Sequence, residues 1–84
     1  MIIEAIKIER ELQNKKWGEQ NHHPIKWITI LSEEIGEAAK AALEHEYLSD
    51  DERKTMLNNY RKELVSIAAV AIAAIESVNR NELY

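Results

Sequence analysis

Four glutamates are the residues of this chain whose type and spacing could do chemistry. Glu33, Glu34 and Glu37 lie within about one helical turn, and Glu63 adjoins the most apolar stretch. Like charges three or four residues apart destabilise a helix by about 0.2–0.5 kcal/mol per pair, and a carboxylate in apolar surroundings costs more unless it is neutralised. A bound divalent cation would remove both costs. The spacing therefore indicates a metal site, although an acidic triplet is also typical of a solvated helix face.

The types of these side chains limit which metal would bind. Glu34 and Glu37 are i and i+3 on a helix and project together, and Glu63 can face them if the second and last helices pack antiparallel. Carboxylate oxygens without a neighbouring His or Cys favour Mg²⁺ or Mn²⁺ over zinc. Because magnesium commonly shares its coordination shell with substrate phosphates, the cluster indicates chemistry on a phosphate ester or phosphoanhydride.

Helices must position these side chains, because no strand-like alternation occurs in the sequence. The periodicity predicts helices over about 3–15, 25–47 and 50–79, with Asn58-Asn59 as a point where the last can divide. Pro24 suits the first turn of the second helix, and Ser49-Asp50-Asp51-Glu52 is typical of a capping box before the third. Residues 79–82 read as a fraying terminus.

The faces of the second and third helices predict what they bury. In the second helix, Glu34 borders a predicted apolar stripe made of Trp27, Ile28, Leu31, Ile35, Ala38, Ala39 and Ala42. From Leu64 to Ile75 the only polar residue is Ser66, so this helix should lie centrally, covered on several sides. Three helices in one domain, residues 1–84, can hardly cover it. We therefore expect an all-α helical bundle completed by homo-oligomerisation, as a homodimer or homotetramer.

Composition excludes several classes of function. The chain has no Cys, which excludes a disulfide scaffold and a thiolate metal site and fits a reducing cytoplasm. Its net charge of -4 gives no general attraction to nucleic acid or an anionic membrane surface. No run approaches the ~20 apolar residues of a membrane span, and no signal peptide is evident. We expect a cytoplasmic protein that binds neither nucleic acid nor membrane.

Two segments resemble the motifs of a known enzyme family. Residues 30–41, ILSEEIGEAAKA, look like the EExxE helix of MazG-like nucleotide pyrophosphohydrolases, in the all-α NTP pyrophosphatase superfamily. Residues 60–71, YRKELVSIAAVA, resemble the second motif helix, ExxD, and residues 16–22, KWGEQNH, resemble the stretch before the first motif in small members. The resemblance covers roughly residues 5–78, and the order, spacing and apolar context of the motifs agree.

The resemblance implies a Mg²⁺-dependent enzyme that hydrolyses a nucleoside triphosphate to a monophosphate and pyrophosphate. Glu34, Glu37 and Glu63 would be the metal ligands, and Glu33 would orient or deprotonate the attacking water. Trp17 would stack on a base, with further nucleotide contacts from Lys16, Gln20 and Asn21. Lys62 or Arg61 would approach the phosphates.

One position departs from the family pattern: Ser66 stands where the second motif has Asp. A hydroxyl is a poorer ligand than a carboxylate for a hard cation. The departure leaves two alternatives to the enzyme. One is a non-catalytic helical oligomer that binds a nucleotide, a metal or a protein partner, and the other is an amphipathic interaction module whose glutamates are surface charge.

Overall fold

Three α-helices form the chain in the computed structural model, which describes residues 1–81. Helix α1 spans Ile2–Trp17, α2 spans Pro24–Glu44 and α3 spans Asp50–Asn81, with a 3₁₀ turn at His45–Tyr47. The all-α prediction is confirmed, and α3 is one continuous helix through Asn58-Asn59. The predicted domain includes residues 82–84, and the predicted fraying terminus includes Glu82. These residues lie outside the part of the chain that the structure describes.

Helix α3 is central, as its apolar sequence predicts. Both α1 and α2 pack against α3, and within residues 1–81 the backbones of α1 and α2 do not approach each other closely. Helix α2 is antiparallel to α3, because Pro24 lies near Val78 at one end while Glu34 contacts Ser66 further along. Helix α1 is parallel to α3. The antiparallel packing needed to bring Glu63 towards α2 is therefore present.

Local sequence signals explain the helix ends. The His23 side chain accepts a hydrogen bond from the backbone N–H of Ile25 at 3.2 Å, and Pro24 follows as the first helical residue of α2. At the start of α3, Ser49 Oγ accepts from the Glu52 N–H at 3.4 Å, which is one half of the predicted capping box. Helix α1 ends at Gly18, whose φ of 72° favours glycine.

The end of α3 is held in place rather than frayed. Arg80 Nε donates to Asn21 Oδ1 at 3.0 Å, and Arg80 Nη2 donates to the Gln20 carbonyl oxygen at the same distance. The Asn81 amide donates to Asn21 Oδ1 as well. The prediction of a fraying terminus is wrong for residues 79–81, because these bonds join the last turn of α3 to the loop between α1 and α2.

The buried face of α2 is rotated from the predicted stripe. Trp27 and Ala38 are buried as expected, but Ile28 and Ile35 are 62% and 53% exposed. The inward positions are instead Trp27, Ile30, Leu31, Glu34, Ala38 and Ala41. Glu34 is therefore in the middle of the face that packs on α3, not at its border. A carboxylate in the middle of this face is more costly to bury than one at its border, so the stability of the fold depends more on neutralisation of the Glu34 charge than the sequence pattern indicated.

The single chain buries few apolar side chains. Among the described residues, the buried hydrophobic residues are Trp27, Ala38, Ala69, Val70 and Ala73. Large apolar side chains of the central helix, including Leu64, Ile72 and Ile75, stay exposed. No helix within residues 1–81 has the length and apolar character required of a membrane span.

Candidate functional site

The charges of three other glutamates act on the Glu34 carboxyl. Its carboxyl lies between α2 and α3, where Ser66 Oγ donates a hydrogen bond to Glu34 Oε2 at 3.5 Å. Burial, and then the negative charges of Glu63 and Glu37, raise the pKa of Glu34 above its ordinary value. The hydrogen bond from Ser66 opposes this rise, and the charge of Glu9 on α1 adds to it. Three helices thus place negative charge around one partly buried carboxyl.

The four predicted glutamates have different surroundings. Glu34 and Glu63 are half-buried, whereas Glu33 and Glu37 are exposed. Glu37 and Glu63 both act on the Glu34 carboxyl, and Glu33 is not among the charges that do. Within residues 1–81, no three acidic, His or Cys side chains are arranged to hold a metal ion. The structure therefore brings Glu37 and Glu63 within electrostatic reach of Glu34 without gathering them into a coordination geometry.

Glu34 also lines a cavity of about 220 Å³ between the three helices. The other side chains that line this cavity come from α1, from the loop that follows α1, and from α2 and α3. They are Arg10, Gln13, Asn14, Trp17, Gln20, Trp27, Ile30, Val70 and Ala73. Two tryptophan rings, three amides, a guanidinium, a carboxyl and three aliphatic side chains thus surround a space that suits a small ligand with both apolar and polar groups.

The predicted nucleotide-binding residues divide into two groups. Trp17 and Gln20 line the cavity with Glu34, and Lys16 Nζ lies 4.7 Å from the centre of the Trp17 ring. Asn21 instead bonds to Arg80 and Asn81 at the end of α3. Lys62 lines a separate groove with Arg61 and Glu9. The structure brings Trp17 and Gln20 to Glu34, but not Asn21 or Lys62.

Three residues of α1 at this cavity were not predicted from the sequence: Arg10, Gln13 and Asn14. Arg10 Nε donates to Glu76 Oε1 and its Nη1 donates to Asn14 Oδ1, both at 2.9 Å. The three residues lie seven, four and three positions before Trp17, which places them on one side of α1. Their helical spacing from Trp17 was the available signal, because Trp17 was already predicted to stack on a base.

The charge cluster predicts how acidity should affect stability. Folding raises the pKa of Glu34, so ionisation of this carboxyl destabilises the folded state. The destabilisation is absent at pH values below the ordinary carboxyl pKa and is complete at pH values above the raised pKa. In metal-free buffer, Glu34→Gln should therefore raise Tm by about 2 °C near pH 7, with the gain vanishing towards pH 4. Thermal unfolding followed by circular dichroism from pH 4 to 8 measures this.

Glu44→Gln provides the matched control, since Glu44 is exposed near the end of the same helix. Its Tm relative to that of the original protein should not vary with pH in this way. An equal gain in both variants, or a gain at Glu34 that is largest at pH 4, would contradict the electrostatic origin of the effect.

No protein-family model, curated protein or solved structure matches the chain.

Proposed function

We propose that the protein is a Mg²⁺-dependent nucleoside triphosphate pyrophosphohydrolase that converts a (d)NTP to a (d)NMP and pyrophosphate. The observation that supports this proposal most is that Glu34 belongs both to the cavity and to the acidic cluster. Its carboxyl lines the cavity, and it is also acted on by the charges of Glu37, Glu63 and Glu9. A cation beside Glu34 would stabilise the fold and face a ligand in the cavity. The reaction class comes from the resemblance of the two motif segments.

The donor set suits a hard cation. In this proposal Glu34, Glu37 and Glu63 hold Mg²⁺, with Mn²⁺ as a substitute, and Ser66 positions the Glu34 carboxyl through its hydrogen bond. Bound Mg²⁺ would offset the negative charge that develops on the phosphates. The three carboxylates would have to turn towards one point to hold the ion, since within residues 1–81 they are not gathered into a coordination geometry.

The chain's own residues bind and orient the substrate. A water oxygen forms a bond to the α phosphorus, the bridging oxygen departs with pyrophosphate, and the water proton is released. Trp17 stacks on the base, and the Lys16 ammonium over its ring keeps positive charge beside it. Arg10 is ion-paired with Glu76 and offers an N–H donor through its Nη2, which has no partner among the described residues. A role for Glu33 in orienting the water stays a prediction.

Measurement of pyrophosphate release tests this proposal. Purified protein is incubated with Mg²⁺ and each of the common NTPs and dNTPs, and released pyrophosphate is assayed enzymatically. Release of pyrophosphate and nucleoside monophosphate in equal amounts is expected for at least one substrate. Release no greater than that of a Glu37→Gln variant would contradict it.

The absence of Cys suits a reducing compartment, and we place the reaction in the cytoplasm.

A non-catalytic role is the second candidate, and Ser66 favours it. With a hydroxyl in place of the family's Asp, the chain could hold a nucleotide or a metal, or serve a protein partner, without turnover. Magnesium would then raise Tm, because a ligand selective for the folded state stabilises it, while pyrophosphate release stayed at background. The same assay combined with thermal unfolding separates the two functions.

A shared core between copies of the chain is also part of the proposal. Ile75 is 60% exposed and lines an apolar groove with Trp27, Ile28 and Val78. Exposure of such a continuous apolar surface is unfavourable, and an 84-residue chain has little core to offset it. A second copy seated on this groove would cover both α2 and α3.

Ile75→Glu should convert the oligomer to a monomer, because burying a carboxylate in an apolar interface costs several kcal/mol. Light scattering coupled to size-exclusion chromatography should give two or four times the chain mass of 9.7 kDa for the original protein, and 9.7 kDa for the variant. Leu43→Glu is the control, since Leu43 is exposed on α2 outside the groove. A monomeric original protein at micromolar concentration would overturn the shared core.

A further inference from the structure

The Gln13 side chain makes no hydrogen bond within the described residues, and it lines the cavity beside Glu34. It is 7% exposed on the inner side of α1, and no side-chain hydrogen bond to it occurs among the described residues. Its neighbours on α1 are engaged, since Arg10 bonds to both Glu76 and Asn14. The Gln13 amide atoms are not among the fully buried side-chain atoms that lack a partner, so the amide is accessible from the cavity. The amide therefore offers a ligand in the cavity a hydrogen-bond donor and an acceptor that the described chain does not use.

The cavity beside Glu34 provides the place for that partner. Gln13 lines it together with the ring of Trp17, which belongs to the same side of α1 one turn further on. An aromatic face and an unpaired amide in one cavity suit a flat ring that carries hydrogen-bonding groups on its edge. A nucleobase has this chemistry, with a donor and an acceptor side by side.

We propose that Gln13 is a base-recognising residue of the site. Its amide nitrogen donates to an acceptor on the base edge while its side-chain oxygen accepts from the adjacent donor, with the base stacked on Trp17. Gln13 thereby discriminates among bases, because an edge that leaves the buried amide unpaired loses affinity. This inference rests on the proposed function for the class of ligand. It adds a residue that the motif resemblance does not include.

Nucleosides test this role without involving phosphate or metal. Adenosine, guanosine, cytidine and uridine are each titrated into metal-free protein, and binding is followed by fluorescence of Trp17 and Trp27, both of which line the cavity. The original protein should prefer one nucleoside. Gln13→Leu should lower that affinity about tenfold and reduce the spread among the four, consistent with loss of hydrogen bonds to a buried edge.

A control variant and two further measurements exclude a merely structural role. Asn59→Leu also replaces an amide, but at an exposed position on α3, and it should bind nucleosides as the original protein does. Gln13→Leu should leave Tm nearly unchanged, since the amide makes no hydrogen bond within the described residues. With the preferred triphosphate, its KM should rise about tenfold while kcat changes by less than about twofold.

The outcomes distinguish this inference from the proposed function. Equal nucleoside affinities in Gln13→Leu and the original protein would overturn the role of Gln13 and show that water alone pairs its amide, whether or not pyrophosphate is released. Failure of the original protein to bind any nucleoside would overturn it too. Nucleoside binding that depends on Gln13 in a protein that releases no pyrophosphate would support base recognition and refute the hydrolase.

Discussion

Glu34→Gln is expected to lower pyrophosphate release about 10³-fold, the largest effect of any single substitution in this chain. The amide keeps the size of the side chain and can still accept the hydrogen bond from Ser66. It removes the negative charge on which Glu37 and Glu63 act. Loss of the central metal ligand should cost about 4 kcal/mol of transition-state stabilisation, which corresponds to that factor. Initial rates with saturating Mg²⁺ and the best substrate provide the measurement.

The exposed Glu44 again supplies the control, because Glu44→Gln changes net charge equally and should retain full activity. The two variants should have similar helical content by circular dichroism. Without metal Glu34→Gln should be the more stable of the two, so misfolding would not explain its inactivity. More than about a tenth of the original rate in Glu34→Gln would contradict a central role for this carboxyl.

Ser66→Asp is expected to raise the affinity for Mg²⁺ about tenfold. The Ser66 hydroxyl lies 3.5 Å from Glu34 Oε2, so a carboxylate at this position would join the acidic cluster directly. Added ligand charge strengthens binding of a hard divalent cation. The same charge repels Glu34 when no metal is bound, and Tm in EDTA should fall by about 2–4 °C. Calorimetric titration of Mg²⁺ and thermal unfolding with and without EDTA measure both effects.

Ser66→Asn separates charge from size, because Asn has nearly the shape of Asp and no charge. It should neither raise Mg²⁺ affinity nor make Tm more sensitive to EDTA. If Asn and Asp had the same effect on Mg²⁺ affinity, position 66 would not belong to a metal site. If Ser66→Asp bound Mg²⁺ more tightly and gained turnover that the original protein lacks, the non-catalytic candidate would be the better description of the natural chain.

Helical periodicity was sufficient to predict most of the fold. The apolar run from Leu64 to Ile75 correctly indicated a central α3, since both α1 and α2 pack against it. Pro24 and Ser49 marked helix starts because their local chemistry acts within a few residues. The antiparallel packing of α2 on α3 follows from the short connection between them.

The position of Glu34 was harder to predict, for a physical reason. An apolar stripe on α2 that includes Ile28 and Ile35 looks like the inward face of a monomer, yet both side chains are exposed. Ile28 lies on the apolar groove where we propose that a second copy packs. A helix with two apolar contact surfaces gives an averaged pattern, and periodicity alone cannot separate them. Glu34 therefore seemed peripheral although it is in the middle of the face on α3.

The contribution of α1 to the cavity could not be inferred from the acidic motifs at all. Arg10 and Gln13 are polar residues at inward positions of α1, and a binary pattern of apolar and polar residues assigns such residues to solvent. Their packing against α3 depends on tertiary contacts such as the Arg10–Glu76 ion pair. A binary pattern fails at inward polar residues, because it places every polar residue in solvent.

Anomalous diffraction from crystals grown with Mn²⁺ is the most direct test of a cation among these carboxylates. The proposed site predicts one strong peak per chain within about 2.2 Å of a Glu34 carboxylate oxygen, with Glu37 and Glu63 turned towards the same ion. Crystals of Glu34→Gln grown in the same way should lack it. A Mn²⁺ site elsewhere on the chain, with Glu34, Glu37 and Glu63 left unliganded, would contradict the proposed metal centre.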